Sequence, residues 1–182
     1  MDEQAGRRAG HAGLREINQQ LADEALTWGW MMWVGLASWT DIVPWADGWI
    51  MQLEHGRDEL TEISLYARAH DSDTAQALRD LARAGQPEEA AKLLVERMLT
   101  RLDASDNPHE LIYRLYQLSQ MELMSEFERP YALLPEEFSD AIYGLDHHRE
   151  SIDPEHGWLQ RNAEIDTLWL RQEAQSVVSK LI

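Results

Sequence analysis

The densest chemistry of the chain lies between Met121 and Glu155. Glu122, Glu126, Glu128, Glu136, Glu137, Asp140, Asp146, Glu150, Asp153 and Glu155 stand there against two bases, Arg129 and Arg149. Tyr131, Phe138 and Tyr143 are interleaved with the acids. Carboxylates and rings at loops and helix starts suit a surface that docks on a basic partner: opposite charge steers the encounter and the rings supply contact area. The competing reading is a solvated acidic face. On the docking reading the contact residues are Glu122, Glu126, Glu128, Tyr131, Glu136, Glu137, Asp140, Tyr143 and Asp146, with Trp39 as a further aromatic anchor.

The same region holds the best local set of metal donors. Asp146, His147, His148, Glu150, Asp153, Glu155 and His156 are crowded together, and a helical metal-dependent hydrolase would draw on His147, His148 and His156. They fall in a stretch expected to be a loop, Arg149 stands among them, and no HExxH or ExxH pair sets two ligands on one helical face. His55 and His70-Asp71 are similar to the His…His-Asp pattern of helical HD phosphohydrolases, but the spacing is short for that family and no distal Asp completes it. There is no cysteine, no GxSxG and no glycine-rich phosphate loop, so nucleophilic catalysis has no support. The balance is against an enzyme, and no cofactor is expected.

Composition narrows the partners. The 182 residues include 16 Lys+Arg and 33 Asp+Glu, a formal net charge of −17. Such a field repels nucleic acid and anionic lipid headgroups, and Arg7-Arg8 is too small a patch to reverse it. It draws in cationic proteins. The uncharged run from Ala25 to Thr40 ends at Asp41 and is diluted by Thr27, Gly29, Gly35 and Ser38, whereas a membrane span needs about 20 apolar residues. The polar N-terminal stretch does not read as a signal peptide. The expected location is the cytoplasm, with no membrane and no nucleic acid among the partners.

The elements that must position these residues are helical. Leu14, Ile17, Leu21, Ala25, Trp28 and Met32 form one stripe, ended by Gly35 or Ser38. Ser38 and Asp41 make an S-x-x-D capping pair before a second stripe of Ile42, Trp45, Ala46, Trp49, Ile50 and Leu53, with Pro44 in its first turn. Third and fourth helices follow Asp58 and Ser72, and Gly85 is placed as a C′ residue. Pro87 and Pro108 open the fifth and sixth, and Pro135-Glu136-Glu137 restarts the pattern with Phe138, Ala141, Ile142 and Leu145 in line. Asp146 to Gly157 reads as a polar loop, and a last helix begins near Trp158. No stretch alternates like a strand. The expectation is an all-α fold: one domain over residues 1–182, about seven or eight helices in antiparallel hairpins, with residues 1–13 as a flexible tail. The pairing of helices two to five points to a short superhelical stack.

Trp28, Trp30, Trp33, Trp39, Trp45 and Trp49 crowd into this early region. Trp28, Trp45 and Trp49 lie on stripes and are expected in the core. Trp30, Trp33 and Val34 lie off them, so the end of the first helix is either central in the bundle or a docking face. Trp39 is expected in a turn and exposed. An aromatic cage for a cation is a third option.

Trp33-Val-Gly-Leu-Ala-Ser38, Ile42-Val-Pro-Trp-Ala-Asp47 and Glu59-Leu-Thr-Glu-Ile-Ser-Leu65 resemble the opening segment of small helical bacterial immunity proteins of polymorphic toxin and contact-dependent inhibition systems. The resemblance covers residues 26 to 66. It implies a cytoplasmic inhibitor that binds and neutralises a cognate toxin domain; a basic toxin such as a nuclease would suit the acidic charge. It carries over no functional residues. Against this reading stand a helical metal-dependent hydrolase and a helical scaffold or adaptor that forms homo-oligomers through its tryptophans.

Overall fold

The computed structural model describes residues 3–53, 57–66, 72–103, 108–126, 129–152, 171–172 and 175–176. Its main elements are helices α1 (Glu3–Trp33), α2 (Trp39–Gln52), α3 (Asp58–Tyr66), α4 (Ser72–Ala82), α5 (Pro87–Asp103), α6 (Pro108–Ser119) and α7 (Glu136–Ile152), with a 3-10 turn at Gln120–Leu123. No strand occurs among the described residues, as the all-α expectation requires. Consecutive helices pack on one another: α2 on α3, α3 on α4, and α6 on α7. The chain divides into two compact units. Unit one is Met1–Met32, Ala37–Ala90 and Pro130–Ala132; unit two is Trp33–Leu36, Ala91–Arg129 and Leu133–Ile182.

In unit one, α1 supplies the central core. Leu21, Ala25, Leu26 and Trp30 are buried, together with Ile42, Ala46 and Trp49 of α2, Leu60 and Ile63 of α3, and Leu78 and Leu81 of α4. Each buried Leu or Ile side chain contributes roughly 1.5–3 kcal/mol. Trp30, off the stripe, is completely buried, which decides for the central-helix reading at that residue. Its indole N–H donates to the Ala132 carbonyl at 2.8 Å, so the short segment Pro130–Ala132 lies along α1. Tyr131 of that segment sits over Gly29, where a Cβ would come within 2.3 Å of its ring. Helix α1 reaches back to Glu3, through most of the stretch that the sequence reads as a tail.

The expected cap of α2 is present: Asp41 accepts from the Ser38 backbone N–H at 2.7 Å. Pro44, expected in the first turn, stands in the second, because the helix already begins at Trp39. The Thr40 carbonyl therefore lacks its usual donor, but both residues face solvent, where water can replace it. Trp39 is the first residue of α2 and half-buried rather than an exposed turn residue. Gly85 follows α4 as expected, but for a different reason from the one the C′ position implies. Its φ is not positive; a Cβ there would lie 2.7 Å from the Ala22 carbonyl of α1. Close approach, not a left-handed turn, requires glycine at this position.

In unit two, Leu94, Val95 and Met98 of α5, Leu111, Ile112, Leu115 and Leu118 of α6, and Phe138, Ile142 and Leu145 of α7 are buried. Gly35, one of the two residues expected to end the first helix, takes the left-handed conformation after α1 (φ 72°), the usual place of a C′ glycine. Beside it Arg114 donates to the Val34 carbonyl at 3.3 Å and to Glu110 at 2.7 Å. The loop expected from Asp146 is corrected over Asp146–Ile152, where α7 continues. Asp146 is buried on it and His147 is exposed. The chemistry of Asp-His-His-Arg-Glu reads as polar loop, but none of these residues breaks a helix that is already nucleated. Residues 153–157 and the start of the last expected helix lie outside the described residues.

Candidate acidic cavity

The hydrophobic stripe of α7 turns Phe138, Ile142 and Leu145 inward. The neighbouring face carries Glu136, Ser139, Asp140 and Tyr143, spaced i, i+3, i+4 and i+7, so one helical face presents two carboxylates, a hydroxyl and a ring. That face borders a cavity of about 610 Å³ within unit two. Its opposite wall comes from the end of α6 and the 3-10 turn, with Tyr116, Ser119, Gln120 and Glu122. Leu133 and Leu134 form part of the wall just before α7. The rings of Tyr116 and Tyr143 stand 6.1 Å apart, tilted by 45°.

The charge of this lining has one sign. Glu122, Glu136 and Asp140 border the cavity, and among the described residues no basic side chain does. Arg129, between Glu122 and Leu133 in the chain, gives its guanidinium to the main-chain carbonyls of Met124 at 3.0 Å and Glu122 at 3.2 Å. Ser119 is buried and its hydroxyl donates to the Tyr116 carbonyl at 2.8 Å, which helps to fix the turn out of α6.

Four of the residues expected from the sequence meet here: Glu122, Glu136, Asp140 and Tyr143. Glu126 and Glu137 are exposed but do not border the cavity. Tyr131 belongs to unit one, where burial pushes its phenol up to about 12 against the opposing charge of Arg79. Asp146 is buried, Trp39 lies in unit one, and Glu128 lies outside the described residues. Tyr116, Ser119, Gln120 and Ser139 were not singled out in the sequence. The i, i+3 spacing of Tyr116 and Ser119 on α6 was the available signal.

A second polar cluster lies in unit one. Glu24 accepts the indole N–H of Trp45 at 2.6 Å and of Trp49 at 3.0 Å, and Gln20 at 3.0 Å. Trp28 leans on Trp45 at 6.4 Å. The carboxylate is occupied by the tryptophans themselves, so this cluster joins α1 to α2 and does not form an open cage. Of the metal candidates, His147 is exposed on α7, the side chain of His148 is not described, and His156 lies outside the described residues. Among the described residues no three His, Asp or Glu side chains are grouped to hold a metal ion. No described helix is long and apolar enough to cross a membrane. Comparison with known protein families, characterised proteins and solved structures finds no match to this chain.

Proposed function

We propose that the chain is an acidic binding protein that works as a cytoplasmic immunity protein, holding a cognate basic toxin domain at the cavity of unit two. The observation that carries the binding role is the meeting of Glu122, Glu136 and Asp140 with the Tyr116–Tyr143 pair around one cavity that no basic side chain among the described residues lines. A net charge of −17 supports it by steering cationic partners toward the molecule. The resemblance of residues 26 to 66 to immunity proteins supplies the biological setting: neutralisation by covering a cationic surface.

The test is retention of host proteins on the immobilised full chain at low and high salt. A basic protein held at low salt, released by salt and lost when Glu122, Glu136 and Asp140 are reversed to Lys is the expected outcome. Retention unaffected by the triple reversal would remove the cavity from the reading. Protection of cells from the captured protein, when the two are expressed together, then tests the immunity role.

A further inference from the structure

We infer that the cavity of unit two seats an extended, arginine-bearing segment of the protein partner. This rests on the binding role proposed above and specifies what enters the site. Among the described residues the carboxylates of Glu122, Glu136 and Asp140 give the lining one sign, which calls for a positive occupant. They border the same cavity, yet among the described residues no three such groups are grouped to hold a metal ion. The cavity, at about 610 Å³, is also about twenty times the roughly 30 Å³ share of one water molecule. The occupant is therefore long and carries its charge in more than one place.

The rings select among cations. Tyr116 and Tyr143, 6.1 Å apart and tilted, stand beside the acids of α7. A planar guanidinium stacks on such rings and forks onto a carboxylate, whereas an ammonium is compact and strongly hydrated. Glu136 and Asp140, one helical turn apart, offer two such carboxylates along the path of a peptide. Most ligand pockets are lined mainly by apolar side chains. This one is lined mainly by carboxylates, hydroxyls and an amide, which fits a charged, donor-rich segment.

Glu137 supplies the internal control: it is adjacent to Glu136, exposed and equally charged, but does not border the cavity. The probe is the peptide Gly-Arg-Gly-Arg-Gly, titrated calorimetrically into the full chain beside its lysine and citrulline counterparts and spermidine. The expected result is one peptide per chain, the arginine form about tenfold tighter than the lysine form, and no binding by citrulline. E136Q/D140N should weaken the arginine peptide about tenfold or more, while E137Q changes it by less than about twofold. Unchanged thermal unfolding shows that the variants fold. Equal binding of arginine, lysine and spermidine, an equal loss in E137Q, or no binding of any probe overturns the inference. If the probes fail while a host protein is still retained through Glu136 and Asp140, the occupant is wrong and the binding role stands. If both fail, the binding role falls as well.

Discussion

Tyr131 is held in a place that suits a neutral phenol and not a phenolate. Burial raises its pKa from 10.0 to about 12. The folded chain then keeps a proton that the unfolded chain releases, so stability is full below about pH 10 and falls as the pH rises toward about 12. The loss should be about 2–3 kcal/mol, followed by denaturant midpoints across that range, and Tyr131→Phe should abolish this part of the dependence. Gly29→Ala tests the seat itself. Alanine favours a helix by about 1 kcal/mol, but a methyl group 2.3 Å from the ring forces Tyr131 aside. Overpacking of this kind costs about 1–3 kcal/mol, and the displaced phenol should titrate closer to its ordinary value, read from tyrosinate absorbance.

Between elements, two joints can be tested separately. Glu24 ties α1 to α2 through two indole N–H groups, and Glu24→Ala leaves both without their acceptor. A loss of about 1–3 kcal/mol is expected in chemical denaturation, together with a shift of tryptophan emission. Gly85→Ala pushes a methyl group toward the Ala22 carbonyl and the Leu26 side chain, with an expected loss of about 1–3 kcal/mol. The difference between what was and was not legible in the sequence lies in distance along the chain. Pro87, Pro108, the Ser38–Asp41 pair and the stripes of α4 to α7 act within a few residues, and the helices begin where these signals place them. Trp30 finds its acceptor 102 residues away, and Asp23 accepts the Gln86 N–H from 63 residues away at 2.6 Å, so neither role has a local signature. The acids of the cavity were legible because they fall in one stretch dense in carboxylates, a signal of composition that needs no knowledge of the packing. Tyr116 was missed because it lies before the acidic stretch and meets it only when α6 packs on α7.

For the whole molecule, the charge of −17 repels itself as well as attracting partners. Adding salt should therefore strengthen folding while weakening capture of a basic partner. A gain of about 1 kcal/mol, or about 2–4 °C in Tm, between low and physiological ionic strength is expected from calorimetry. A Tm that falls with salt would mean that attractive pairs outweigh the excess of acids. The path of the chain has a consequence for its birth on the ribosome. Pro130–Ala132 belongs to unit one although the residues on either side of it belong to unit two. Until residue 132 has emerged, Gly29 has no ring above it and the indole of Trp30 has no carbonyl to meet. The earlier unit is thus finished by a piece of chain made after all of α5 and α6, and a nascent chain stalled before Pro130 would leave the face of α1 at Gly29 without the Tyr131 ring that later covers it.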